Sequence, residues 1–195
     1  SALTTTQATA LTATQLARLS SEALVAFDTT QFAALSATQV RALTTTQLGN
    51  LEAADISEFT TTQIAGLATT QVRGLTDTAV GALAATQIAA LTTAQVQSLN
   101  TTSLVAFADT QIAALTTTQV ASLTTTQVAA LDATNVAALA GTQVAALTAA
   151  QVADSFRAGT LRGEIPAVAV KNERLDALRA QADALRKSIA ALGAA

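Results

Sequence analysis

Large apolar residues recur along this chain at two fixed points of an eight-residue unit. From Leu3 to Asp154 the unit repeats nineteen times without an insertion or deletion, octad 1 opening at Leu3 and octad 19 at Leu147. Position one is Leu in sixteen octads and Phe in three (Phe27, Phe59, Phe107). Position six is large and apolar in every octad but the first, which has Ala8. Between them the pattern is polar: position two is Thr, Ser, Asp or Asn in fourteen octads, and position five is Gln in fourteen. Positions seven and eight are mostly Ala or another small residue. The cleanest octad is Leu123-Thr-Thr-Thr-Gln127-Val128-Ala-Ala130.

This order of residues encodes the start of a helix. Thr124 followed three places later by Gln127 is a capping box, in which the hydroxyl accepts from the N3 amide and the Gln side chain reaches back to the N-cap amide. Leu123 and Val128 flank the cap as a hydrophobic staple. Each octad therefore predicts one short helix that ends where the next cap begins. A single continuous helix is excluded, because eight residues advance about 80° beyond two turns and the Leu stripe would spiral away from any core. A β-solenoid is the alternative, since Thr and Val suit strands. Positions one and six have opposite parity, however, so a flat strand would place them on opposite faces. Helices of about two turns are marginal alone, so the fold expected is an all-α solenoid stabilised by stacking. The small residues at positions seven and eight would let the helices approach closely.

A longer rhythm overlies the octads. Those opening at Leu19, Leu51, Leu75, Leu99 and Leu131 lack the Gln, and they are copies 3, 7, 10, 13 and 17. Six of the nine acidic residues of the repeat region fall in them: Glu22, Glu52, Asp55, Glu58, Asp77 and Asp132. Arg18, Arg41 and Arg73 are spaced by three and four copies in the same way. The expectation is a superhelical turn of roughly three and a half octads (about 28 residues by this spacing), lining up an acidic seam through Glu22, Asp55 and Asp77.

The octads end at Asp154. Residues 155–171 contain Gly159, Gly163 and the only proline, Pro166, and read as a connector. Residues 172–195 form a predicted amphipathic helix opening at Asn172, with Leu175, Leu178, Ala182, Leu185, Ile189 and Leu192 three and four places apart. That helix either caps the solenoid or docks on another copy, with Arg179, Arg186 and Lys187 facing the acidic seam. The chain opens at Ser1 without Met, which fits either a trimmed Met or a cleaved leader.

Composition narrows the chemistry. The 195 residues include no His, Cys, Met, Trp or Tyr, which removes most nucleophile–base pairs, the usual metal ligands and any disulfide. Ser and Thr are explained as caps, no phosphate loop or calcium loop is present, and neither catalytic residues nor a cofactor or metal is expected. Net charge is −3, divided into −6 over residues 1–154 and +3 over 155–195. Such a split favours complementary surfaces within the chain or between copies, and is too weak for a nucleic-acid partner. No apolar run is long enough to span a membrane. Thr arrays could match ice or a polysaccharide, but Thr at position three is replaced too often for a regular lattice.

The repeated Leu-Thr-Thr-Thr-Gln-Val at 115–120 and 123–128 resembles repeat tracts in large bacterial surface and secreted proteins of the adhesin type. The resemblance covers residues 3–154 and implies a bacterial, extracellular setting and a structural or adhesive role. The expected function is a self-assembling subunit of an extracellular filament, sheath or surface layer, joined through the C-terminal helix and the solenoid ends. The alternative is a binding module for carbohydrate, ice or a protein partner.

Overall fold

The computed structural model describes residues 3–152 together with Gln181 and Asp183. Over that span each octad forms one α-helix of five or six residues. The series runs from α1 (Thr5–Ala10) in octad 1 to α18 (Gly141–Ala145) in octad 18, and a further helix begins in octad 19. No strand forms among the described residues, so the helical expectation holds and the β-solenoid does not.

The predicted capping chemistry sets both helix ends. Thr124 sits in extended backbone (φ −69°, ψ 156°) and ends the previous octad while opening the next. Its hydroxyl accepts from the Gln127 amide at 3.1 Å, and Gln127 Oε1 accepts from the Thr124 amide at 2.9 Å. At the other end, the Leu131 amide donates to the Val128 carbonyl at 3.3 Å, a tight last turn that leaves no room for further helix. Four octads carry Ala at the N-cap: Ala68, Ala84, Ala108 and Ala140. A methyl group cannot accept a hydrogen bond, so there the N3 amide turns to the N-cap carbonyl, as from Gln87 to Ala84 at 2.9 Å. Only the Gln half of the box survives in those copies.

The helices stack on those three octads away. Helix α5 (Ala37–Arg41) packs against α8 (Thr61–Gly66), and the same step links every stacked pair along the coil. Three columns result. Octads 1, 4, 7, 10, 13 and 16 form one, octads 2, 5, 8, 11, 14 and 17 the second, and octads 3, 6, 9, 12, 15 and 18 the third. A layer is thus three octads, or 24 residues, which corrects the expected three and a half. The seam is corrected with it. Asp55 and Asp77 share a column through octads 7 and 10, whereas Glu22 in octad 3 stands in another.

Beyond exposed Leu3, positions one and six point inward along the coil and make one continuous core, flanked at its start by half-buried Leu11 and Leu19. Phe27, Phe32 and Phe59 form its only aromatic cluster among the described residues, with ring centroids 5.7 and 5.8 Å apart in tilted geometry. Small residues at position eight do permit close stacking. A Cβ added to Gly66 would lie 3.0 Å from Ala37 Cβ, and one added to Gly74 would lie 3.3 Å from Thr45 Cβ.

The half-built caps give a direct test. Ala84 is exposed, so Ala84→Thr is expected to complete a box and stabilise the fold by about 0.5–2 kcal/mol, while Thr92→Ala loses a similar amount. Urea unfolding followed by circular dichroism measures both.

Candidate functional site

The side chains with the most demanding geometry are the position-five glutamines. They lie within the coil yet are polar: Gln63, Gln71, Gln95 and Gln119 are all buried. Burying a carboxamide is unfavourable unless each of its polar atoms finds a partner. Every one of them does, and no buried side-chain nitrogen or oxygen is orphaned among the described residues.

Each glutamine works in two directions. In octad 12, Gln95 Oε1 accepts from the Thr92 amide at 2.7 Å, closing the capping box of its own helix. Its Nε2 donates to the Ile64 carbonyl at 2.9 Å and the Leu67 carbonyl at 2.8 Å in the layer beneath. Those two carbonyls belong to the last turn of α8 and to its C-cap, and the Ile64 carbonyl also accepts from the Leu67 amide at 3.2 Å. One side chain therefore joins the N-terminus of one helix to the C-terminus of another. Gln47, Gln63, Gln71, Gln111, Gln119, Gln127, Gln143 and Gln151 repeat the arrangement on carbonyls 28 and 31 residues earlier.

The 28-residue offset of these bonds exceeds the 24-residue layer. Position five of one octad meets position one of the octad three earlier, which adds four residues to 24. The 28-residue separation belongs to the hydrogen bond alone, and the irregular octads, 24 or 32 residues apart, do not follow it.

The ladder is uneven among its columns. The second column is continuous through Gln39, Gln63, Gln87 and Gln111, and the third through Gln47, Gln71, Gln95, Gln119 and Gln143. The first column has Asp55, Ala79 and Ser103 in three successive layers. Ala79 has no donor to offer, and the Ser103 hydroxyl donates instead to Asp77 Oδ1. Three of the five irregular octads therefore make a gap in the ladder on one side of the coil.

Of the site residues expected from sequence, Glu22 and Asp77 are exposed and Asp55 is half-buried. Burial raises the Asp55 carboxyl above its ordinary range, with the neighbouring Glu52 charge adding to the rise and the hydrogen bond from the Glu52 amide opposing it. Leu175, Leu178, Arg179, Leu185, Arg186, Lys187, Ile189 and Leu192 lie outside the described residues. Among the described residues, no three acidic side chains converge to hold a metal ion, and no helix is long and apolar enough to cross a membrane.

Replacing Gln95 by Leu removes five hydrogen bonds at once, two within its own cap and three to carbonyls of the layer beneath. The expected loss is roughly 2–4 kcal/mol, larger than that of Thr92→Ala, which touches only the local cap. Paired urea titrations of the two variants settle the order.

Residues 14–45, 56–93 and 88–125 match the ALTTAQ repeat family, and its six letters stand unaltered at 90–95. No curated protein and no solved structure matches the chain. The matched segments span just over half of the 195 residues and lie within the octad coil. The chain belongs to the ALTTAQ repeat family.

Proposed function

We propose that this chain is a structural subunit, a stiff helical rod that self-associates into an extracellular filament, sheath or surface layer. The observation that carries this reading is the glutamine ladder. The buried polar groups of the coil are directed at joining one layer to the next, an arrangement suited to bearing load and keeping a fixed spacing. Among the described residues, α1 to α18 in three columns make six layers, a rod roughly 50–60 Å long at the usual helix spacing.

Two features of composition support the setting. The repeat region carries −6 and residues 155–195 carry +3, so unlike parts of two copies attract. The absence of Cys, Met, Trp, Tyr and His leaves none of the readily oxidised side chains, which suits a long-lived protein outside the cell. A second reading, a binding module for carbohydrate, ice or protein, rests on an open apolar depression lined by Thr101, Thr102, Val105, Ala106 and Ala130.

Negative-stain electron microscopy of the full chain beside a form truncated after Val170 separates the readings. Filaments or sheets from the full chain, with single short rods from the truncation, are expected. Single particles from both forms at every salt and protein concentration would overturn self-assembly, and glycan and ice-binding assays would then test the second reading.

A further inference from the structure

Two octads end alike: octad 3 in Leu24-Val25-Ala26-Phe27 and octad 13 in Leu104-Val105-Ala106-Phe107, the last residue opening the next octad. In the ladder's register these carbonyls face position five of octads 7 and 17. Both of those positions hold a side chain one methylene shorter than Gln, namely Asp55 and Asn135. Where the layer beneath carries the bulkier Val and Phe, the rung above is short.

Asn135 shows how a short rung works. Its Oδ1 accepts from the Asp132 amide at 3.2 Å, and its Nδ2 donates to the Val105 carbonyl at 3.3 Å, thirty residues earlier. Asp55 begins the same way, with Oδ2 accepting from the Glu52 amide at 3.0 Å. Aspartate and asparagine share one skeleton, so the pose of Asn135 carried over to octad 7 would set the second carboxyl oxygen of Asp55 where Nδ2 stands. Thirty residues before Asp55 is Val25. α7 (Ala53–Ser57) stacks on α4 (Thr29–Ala34) as α17 (Ala133–Ala138) stacks on α14 (Asp109–Ala114).

We propose that Asp55 is a proton-dependent rung: protonated, it donates to the Val25 carbonyl and closes octad 7 onto the layer beneath, and ionised, it sets oxygen against oxygen and loosens that side of the coil. The groups around it reinforce the effect. Its own octad contributes Glu52 and Glu58, α4 carries no ionisable side chain beyond its N-cap Asp28, and α10 (Asp77–Gly81) brings Asp77. Octad 3 adds Glu22, and octads 3, 4, 7 and 10 contain no Lys or Arg, so every charge in them is negative. Ala79 and Ser103 supply no rung in the next two layers of the column, which leaves this side dependent on Asp55.

The raised carboxyl has a definite sign. A folded state that holds the proton more tightly than the unfolded chain gains stability in acid. That gain is complete below the ordinary Asp range and is lost as pH rises through the higher folded value.

Thermal unfolding of the full chain between pH 4 and 7 tests this, alongside Asp55→Asn, Asp55→Gln and Glu58→Gln. At pH 7, Asp55→Asn and Asp55→Gln are expected to lower the unfolding equilibrium constant about two- to tenfold, the effect of one added hydrogen bond. Hydrogen exchange of the amides of residues 53–57 should slow with them. Acidification should stabilise the wild type and Glu58→Gln more than it stabilises Asp55→Asn. The idea is overturned if both Asp55 variants are no more stable than wild type at pH 7, or fail to fold. A wild-type pH profile unchanged in Asp55→Asn overturns it equally.

Discussion

A helix of five or six residues is almost all ends. In such a helix nearly every backbone N–H near the start and every C=O near the finish lacks an intrahelical partner. A coil built from eighteen of them in the described residues would carry an intolerable number of unpaired groups unless each end found a partner. The position-five glutamine meets that constraint with a single side chain. Its oxygen serves the helix it belongs to, and its nitrogen serves the helix that ends in the layer beneath. Local folding of one octad and its stacking on another are therefore coupled through the same atoms, and neither is complete without the other.

The rest of the architecture follows from that coupling. Because the rung is buried, the core around it needs only two apolar residues per octad, and these form one cluster from Ala8 to Val152. Because the rung spans two layers at fixed length, helices must approach closely, which is why Gly66 and Gly74 stand against Ala37 and Thr45. Stability in such a coil is cooperative between layers and weak within an isolated octad, as expected of a solenoid. The three-layer gap at Asp55, Ala79 and Ser103 is then a local weakening of one column inside an otherwise regular rod.

Much of this was legible in the sequence. Thr124 and Gln127 announced a capping box, and the opposite parity of Leu123 and Val128 spoke against a strand. The number of octads per layer was not legible. The irregular octads are spaced by three and by four, but only 7, 10 and 13 share a column, while 3 and 17 fall elsewhere; the absence of a rung is tolerated in any column and so carries no exact phase. The second role of the glutamine did leave a signal. A capping box accepts Glu as readily as Gln, and Glu at a helix start is favoured by the dipole. Yet position five never holds Glu in nineteen octads. Only a side chain that must also donate explains that choice. The amphipathic stripe of residues 172–195 lies outside the described residues, and its role rests on charge pattern alone.

The central claim is that the glutamine Nε2 groups hold the layers together. Side-chain amide hydrogen exchange, followed residue by residue by NMR, addresses it directly. The account predicts slow exchange at Gln63, Gln71, Gln95 and Gln119, whose amide nitrogens are buried against carbonyls of the layer beneath, and fast exchange at exposed Gln7 and Gln15. Equally fast exchange at all six would contradict it, and would mean that the helices are stacked by apolar packing without the ladder.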